Sequence, residues 1–328
     1  MRVGMSIPGD PDLANDEAVA LLTGCGVRSV FIECHEETQD THGLALAGFA
    51  RRSRREGLEV YAVPRGYGHV LRSPRPTRTL YLRGRREAQQ IDSKGRRAPC
   101  ACPNNREFVE WFAARMADLA EMLACDGFVW DEPAFYFSRG AWGCRCDECQ
   151  RLYEWQYGEE LPTELTFSAA HFRRRAIVMF LLAVAARVKR VNAACQCIVM
   201  SAGELAHEQF HTGTQQWSEL LDSSGVDGLA AFPDWRRRGT PLEDALAHLG
   251  RSALREARLR GKRGQVWIAG SPQHEDRLLD ALRFAARLGA PEFVIVDYAS
   301  LVRAAEFAAF RPRLEAAIRD VSAKQQPA

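Results

Sequence analysis

Residues Cys125-Asp-Gly-Phe-Val-Trp-Asp131-Glu132-Pro133 form an apolar run of strand length that ends in two adjacent carboxylates and a proline. Proline offers no N–H to a sheet ladder, so the strand stops there. The run is near-continuous rather than alternating, as in a parallel strand covered on both faces. Seven comparable runs flank it: Val3–Pro8, Arg28–Cys34 and Glu59–Pro64 before it, and Cys197–Ser201, Gly228–Pro233, Gln265–Ala269 and Glu292–Asp297 after it. Amphipathic stretches separate them, at Leu13–Thr23, Leu44–Glu56, Arg106–Leu123, Ala169–Asn192, Gln216–Asp222, Leu242–Leu259, Glu275–Leu288 and Leu301–Ala317. Several helical patterns stop at a glycine, as at Gly24, Gly57, Gly225 and Gly289. Eight alternating units predict an α/β fold closed into a (β/α)8 barrel. An open doubly wound sheet is the rival, and the first strand lacks the Gly-x-Gly-x-x-Gly turn that would favour it.

Two of the units are long. Insertions at 65–105 and 133–165 follow the C-terminal ends of the third and fourth strands. In a barrel that end carries the chemistry, so both read as lid-like. Residues 1–320 are expected to form one barrel and 321–328 a polar tail.

The chain has 328 residues, of which 46% are hydrophobic, enough for a large core. A formal net charge of +2 lacks the basic surplus of a nucleic-acid binder. The N-terminus MRVGMSIPGDPDL carries no leader pattern, and no run of about 18 apolar residues suits a membrane. A cytoplasmic location without membrane contact is therefore the expectation; composition leaves the oligomeric state open.

Three cysteines fall within six residues in Cys144-Arg-Cys146-Asp-Glu-Cys149. Thiolates at that spacing wrap one soft ion, usually tetrahedral zinc. A fourth ligand comes from the neighbouring loop: Cys102, or Cys100 in its place. Four sulfurs leave no open position for water, so the expected Zn2+ is structural. No organic cofactor is expected. Cys25, Cys34, Cys125, Cys195 and Cys197 lie beside strands and helix ends and read as small core residues.

The strand ends gather acids. Successive strand residues face opposite sides, so only one of Asp131 and Glu132 points at the barrel axis. Glu33, His35, Arg65, Glu204, Asp234, Asp297 and Tyr298 also follow strands. Trp130, Trp142, Trp235, Tyr67 and Tyr298 supply aromatic faces nearby. Carboxylates that accept from hydroxyls, and rings that stack on pyranose C–H surfaces, suit a sugar. Paired carboxylates are also the machinery of glycoside cleavage. A strand-end acid can instead cap the next helix; Asp131 is followed by an irregular loop.

The segments Ala101-Cys-Pro-Asn-Asn105, Asp126-Gly-Phe-Val-Trp-Asp-Glu-Pro133, Cys144-Arg-Cys-Asp-Glu-Cys149 and Tyr157-Gly-Glu-Glu-Leu-Pro162 resemble a family of uncharacterised, glycoside-hydrolase-like TIM barrels. The resemblance covers about residues 92 to 162. That family is distantly similar to α-galactosidase-like retaining hydrolases, which implies Asp131 as nucleophile and Asp234 as acid/base. Their carboxyls would then stand about 5–5.5 Å apart. Asp131-Glu132-Pro133 also resembles the Asn-Glu-Pro of another barrel clan, in which the glutamate is the acid/base. That clan needs a nucleophilic glutamate ending strand seven, where this chain has Ala269-Gly-Ser-Pro-Gln273.

The sequence thus points to a hydrolase or transglycosylase for a small intracellular glycoside or oligosaccharide, using Asp131 and Asp234 with Glu132 and Glu204 beside them. Glu33, His35, Arg65, Trp130, Trp235, Asp297 and Tyr298 would bind the substrate. A lyase or isomerase would rest more on Cys34 and His35. A non-catalytic carbohydrate-binding barrel would leave the acids apart.

Overall fold

A computed structural model describes residues 1–71, 79–202, 218–232, 241–270 and 275–323. Its sheet is a closed, parallel barrel of eight strands: β1 (Arg2–Pro8), β2 (Ser29–Cys34), β3 (Glu59–Pro64), β6 (Gly127–Asp131), β9 (Gln196–Ala202), β10 (Gly228–Phe232), β11 (Arg263–Ala269) and β12 (Glu292–Val296). Pairing of β1 with β12, Val3 opposite Phe293, shuts the cylinder. Two antiparallel hairpins lie in the insertions, β4 (Gln89–Ile91) with β5 (Arg97–Ala101) and β7 (Phe137–Ser138) with β8 (Ala141–Trp142).

The strands alternate between two layers. Phe31, Tyr61, Val63, Val129, Ile198, Met200, Ala230, Trp267 and Val294 pack together inside the barrel. Phe31 stacks on Tyr61 at 4.8 Å, and the Trp267 ring meets Phe31 edge-on at 4.9 Å. Two inward-facing glycines make room for these rings. A Cβ on Gly4 would stand 2.5 Å from the Phe31 ring, and one on Gly127 2.6 Å from Tyr61. The opposite strand faces pack with the helices in the larger core.

The helices are α1 (Asp16–Gly24), α2 (Glu36–Arg55), α3 (Arg106–Leu123), α4 (Asp147–Tyr157), α5 (Phe167–Val191), α6 (Ser218–Asp222), α7 (Leu242–Arg251), α8 (Ala253–Leu259), α9 (Glu275–Arg287), α10 (Tyr298–Val302) and α11 (Phe307–Ala323). Asn15 and Asn105 cap α1 and α3 with their side chains, accepting from Ala18 N and Phe108 N. Among the described residues, no helix is long and apolar enough to cross a membrane.

Several boundaries differ from the sequence reading. The second helix starts at Glu36 rather than Leu44, because its first two turns bury Glu36, Gln39 and Gly43 instead of an apolar stripe. Leu44 itself is 90% exposed. The long helix expected over 242–259 is divided at Ser252, and the last one between Val302 and Phe307. The expected tail begins too early: Val321 is buried, and its carbonyl accepts from the Met1 ammonium at 3.0 Å.

The N-terminal end of the barrel is sealed by polar side chains. Glu292, fully buried at the start of β12, accepts from Ser29 Oγ at 2.6 Å, Gln265 Nε2 at 2.7 Å and Arg263 Nη2 at 3.1 Å. Arg263 also donates to Gln196 and to the Tyr61 hydroxyl. Removing one member of such a network strands the others' charge and hydrogen-bonding groups. Glu292→Ala is expected to cost about 3 kcal/mol, measured as the change in unfolding free energy in urea.

Candidate active site and metal centre

At the C-terminal mouth, inward positions of four consecutive barrel strands converge. Ser6 lies on β1, Glu33 on β2, Arg65 just past β3 and Asp131 at the end of β6. Arg65 is 5% exposed and grips two carboxylates at once. Its Nη2 donates to Glu33 Oε1 at 2.9 Å, and its Nη1 to Asp131 Oδ2. Ser6 Oγ donates to the same Glu33 oxygen at 2.6 Å. Asp131 is 4% exposed, so this cluster is largely withdrawn from water.

Burial works against the charges of this group, and their mutual attraction overcomes it. For Arg65, burial pulls the pKa down, and Glu33 and Asp131 more than restore it, leaving it above its ordinary value. For Glu33, burial pushes the pKa up, and Arg65 with Ser6 carries it below the ordinary 4.5.

Glu132 follows with a left-handed backbone, φ +41°, and is also buried. A non-glycine residue there is strained, and such strain collects at functional sites. His35 caps the end of β2, its Nδ1 lying 3.2 Å from the Arg65 carbonyl oxygen.

Other expected site residues sit elsewhere. Trp130 points the opposite way from Asp131 and is fully buried between sheet and helices, so its ring offers no stacking face at the mouth. Tyr298 is likewise in the outer core. Asp297 caps α10, accepting from Ser300 N at 3.2 Å, which is the helix-capping alternative for a strand-end acid. Tyr67 is buried with its hydroxyl on Gln39 Oε1 at 2.9 Å. Trp142 is buried with its indole N–H on the Thr163 carbonyl at 3.1 Å. Glu204, Asp234 and Trp235 lie outside the described residues, and with them the Asp131–Asp234 separation.

Two residues important to the mouth gave little signal. Ser6 is a small residue inside an apolar strand. Glu36, beside the strand-two acids, pins the first insertion to α2: it accepts from Gly68 N at 2.8 Å, Thr79 Oγ1 at 2.7 Å and Tyr81 N at 2.8 Å.

Cys102, Cys144, Cys146 and Cys149 bring their sulfurs within 4.8 Å of one another. Cys102 lies 3.4 Å from Cys149 and 3.7 Å from Cys146. Thiolates around a tetrahedral ion at 2.3 Å stand about 3.8 Å apart, so the cluster has the right size. N–H groups turn toward the sulfurs: Asn104 Nδ2 to Cys149 at 3.3 Å, Asn104 N to Cys102 at 3.4 Å and Cys146 N to Cys144 at 3.4 Å. Burial pushes the Cys102 thiol up, while contacts with Cys102, Cys144 and Cys149 pull Cys146 down. The donor set could hold a metal ion. Cys102, not Cys100, is the fourth member; Cys100 is buried on β5 outside the group.

This cluster joins the two insertions, whose backbones are also tied. Ser93 N donates to the Trp142 carbonyl at 2.8 Å and Arg145 N to the Ile91 carbonyl at 2.7 Å.

No family model matches the chain, and no curated protein sequence matches it. Solved structures share its fold. The β-galactosidase of the psychrophilic Marinomonas ef1 aligns with TM-score 0.70 at 13% identity, covering 99% of this chain and 60% of that one. The polyextremophilic β-galactosidase of the Antarctic haloarchaeon Halorubrum lacusprofundi gives 0.72 at 13%, covering 98% and 58%. An endo-β-1,4-mannanase from Thermotoga petrophila gives 0.60 at 9%, covering 100% and 78%. The chain thus spans less than two thirds of the β-galactosidases it resembles. The fold is that of barrels found in glycoside hydrolases.

The Glu33–Arg65 pair has a pH consequence. Glu33's folded pKa is depressed, so the stability it contributes is complete above the unfolded value of 4.5 and is lost as pH falls through the folded value. Arg65→Met is expected to raise the Glu33 pKa above that of the parent protein and to flatten the fall in stability between about pH 5 and pH 3. Carboxyl NMR titration and urea melts at each pH would check both.

Proposed function

We propose that this chain is a glycoside-hydrolase-like enzyme that cleaves or transfers a small glycoside with two carboxylates. The observation behind this reading is the Asp131 carboxylate on the barrel axis at the C-terminal mouth, held by Arg65 beside Glu33. A guanidinium favours the ionised form of a carboxylate it touches, which is the form a nucleophile needs. Asp131 would attack the anomeric carbon, Asp234 would protonate the leaving oxygen and then activate water, and Glu33 and Glu204 would bind hydroxyls.

The strained, buried Glu132 favours a second assignment of the acid. It is buried directly after Asp131 and near enough to Arg65 for their charges to interact, and a general acid has to stand within reach of the leaving oxygen. Asp131 keeps its role in either version.

The cysteine cluster completes the reading as a structural zinc centre. Zinc would be held by Cys102, Cys144, Cys146 and Cys149, and it would fasten two insertions that are too small for a core of their own. Small neutral glycosides or oligosaccharides in the cytoplasm are the proposed substrates, with neither nucleic acid nor membrane as partner.

A panel of nitrophenyl glycosides tests the assignment. On an accepted substrate, Asp131→Asn should lower kcat/KM by about a thousandfold, roughly 4 kcal/mol of transition-state stabilisation. Unchanged turnover would sink it. Of Asp234→Asn and Glu132→Gln, the variant whose loss is worst with poor leaving groups marks the acid. For the metal, elemental analysis should find one zinc per chain, and Cys149→Ser should lose it together with several degrees of melting temperature.

A further inference from the structure

Metal ligands are aimed by the groups behind them, and losing one such partner lowers metal affinity about 10–100-fold. Asn104 stands behind two of the four cysteines. Its backbone N–H donates to Cys102 Sγ at 3.4 Å and its side-chain Nδ2 to Cys149 Sγ at 3.3 Å. Those two sulfurs are 3.4 Å apart and come from different insertions. Cys102 follows β5 in the first, and Cys149 lies in the first turn of α4 in the second. The Cys146 amide reaches Cys144 within its own loop. The Asn104 side chain thus ties a ligand of one insertion to a ligand of the other.

The local chain aims this residue. Asn105 N donates to the Cys102 carbonyl at 3.0 Å and closes the turn, in which Pro103 fixes one backbone angle. Asn105 Oδ1 then accepts from Phe108 N at 2.8 Å and starts α3. Asn104 is therefore held, half-buried, between a closed turn and a helix cap. A thiolate has no proton to give, so the NH2 end of the amide is the one that faces Cys149.

We propose that Asn104 is the positioning residue of the four-cysteine centre. It sets Cys102 and Cys149 at ligand spacing across the two insertions, and its N–H groups draw charge from both thiolates once a metal is bound. The inference rests on reading that cluster as a zinc centre. Two effects follow from the geometry. A site whose ligands already stand together has less to order when the ion arrives, which favours binding. An N–H aimed at an ionised sulfur makes a charge-assisted bond that a metal-bound thiolate keeps.

The test uses the full-length chain and zinc alone, competed against a chromophoric chelator. Wild type should bind one zinc. Asn104→Ala, which keeps the backbone N–H and loses the amide, should bind it about tenfold more weakly. Asn104→Asp, which keeps the shape but offers no side-chain N–H, should be at least as weak as the alanine variant. Cobalt(II) in place of zinc gives the second readout. Its sulfur-to-metal charge-transfer band should move to longer wavelength in Asn104→Ala, because a sulfur lone pair without its donor is easier to ionise. A residue that only supported the fold would leave that band unmoved. Melting curves at saturating zinc establish that each variant is folded; if Asn104→Ala is not, Asn104→Leu takes its place with similar bulk and no donor. Wild-type affinity in the alanine or the aspartate variant overturns the proposal, as does weakened binding with an unmoved cobalt band. A wild type that binds no zinc removes the zinc reading itself, and the role of Asn104 with it.

Discussion

Eight inward-facing rows of side chains have to fill one cylinder, and everything else in this protein accommodates that limit. The middle of the cylinder takes three large rings, Phe31, Tyr61 and Trp267, at the expense of Gly4 and Gly127, which have no side chain to spare the space. Above and below this apolar plug the inward positions turn polar. Both ends are built alike, with a cation between carboxylates: Arg263 with Glu292 and Glu59 at one end, Arg65 with Glu33 and Asp131 at the other. They differ in their surroundings. The lower set is locked by Ser29, Gln265 and Gln196, whereas the upper set faces the insertions.

Those insertions pack side chains such as Tyr81, Phe135, Trp142 and Tyr153 into the outer core. Fastenings add to this: a carboxylate at Glu36, ladder bonds between the two hairpins, and the cluster of four cysteines. The Cys102-Pro-Asn-Asn105 turn does three local jobs within four residues. Cys102 joins the sulfurs, Asn104 donates to Cys149, and Asn105 starts α3. Motifs of this kind look conspicuous in a sequence because several local demands fall on one short stretch.

The barrel was legible because parallel strands buried on both sides must be apolar throughout, and eight such runs of the right length leave few alternatives. The cysteines were legible from spacing, and topology supplied the fourth. Facing was not legible. Asp131 and Trp130 are adjacent, so one must turn inward and the other outward, but an all-apolar strand gives no alternation by which to choose. Trp130 and Tyr298 left the mouth for this reason, since rings near strand ends serve the outer core as readily as a ligand. Helix α4 was hidden because its polar sequence buries little beyond Cys149 and Tyr153.

The sealed lower end of the barrel has a consequence for traffic. With aromatic rings filling the bore and Glu292 closing it beneath, the axis is shut below the level of Asp131. Nothing can pass along it from one end of the barrel to the other, so any ligand that meets Asp131 has to arrive and leave on the C-terminal side.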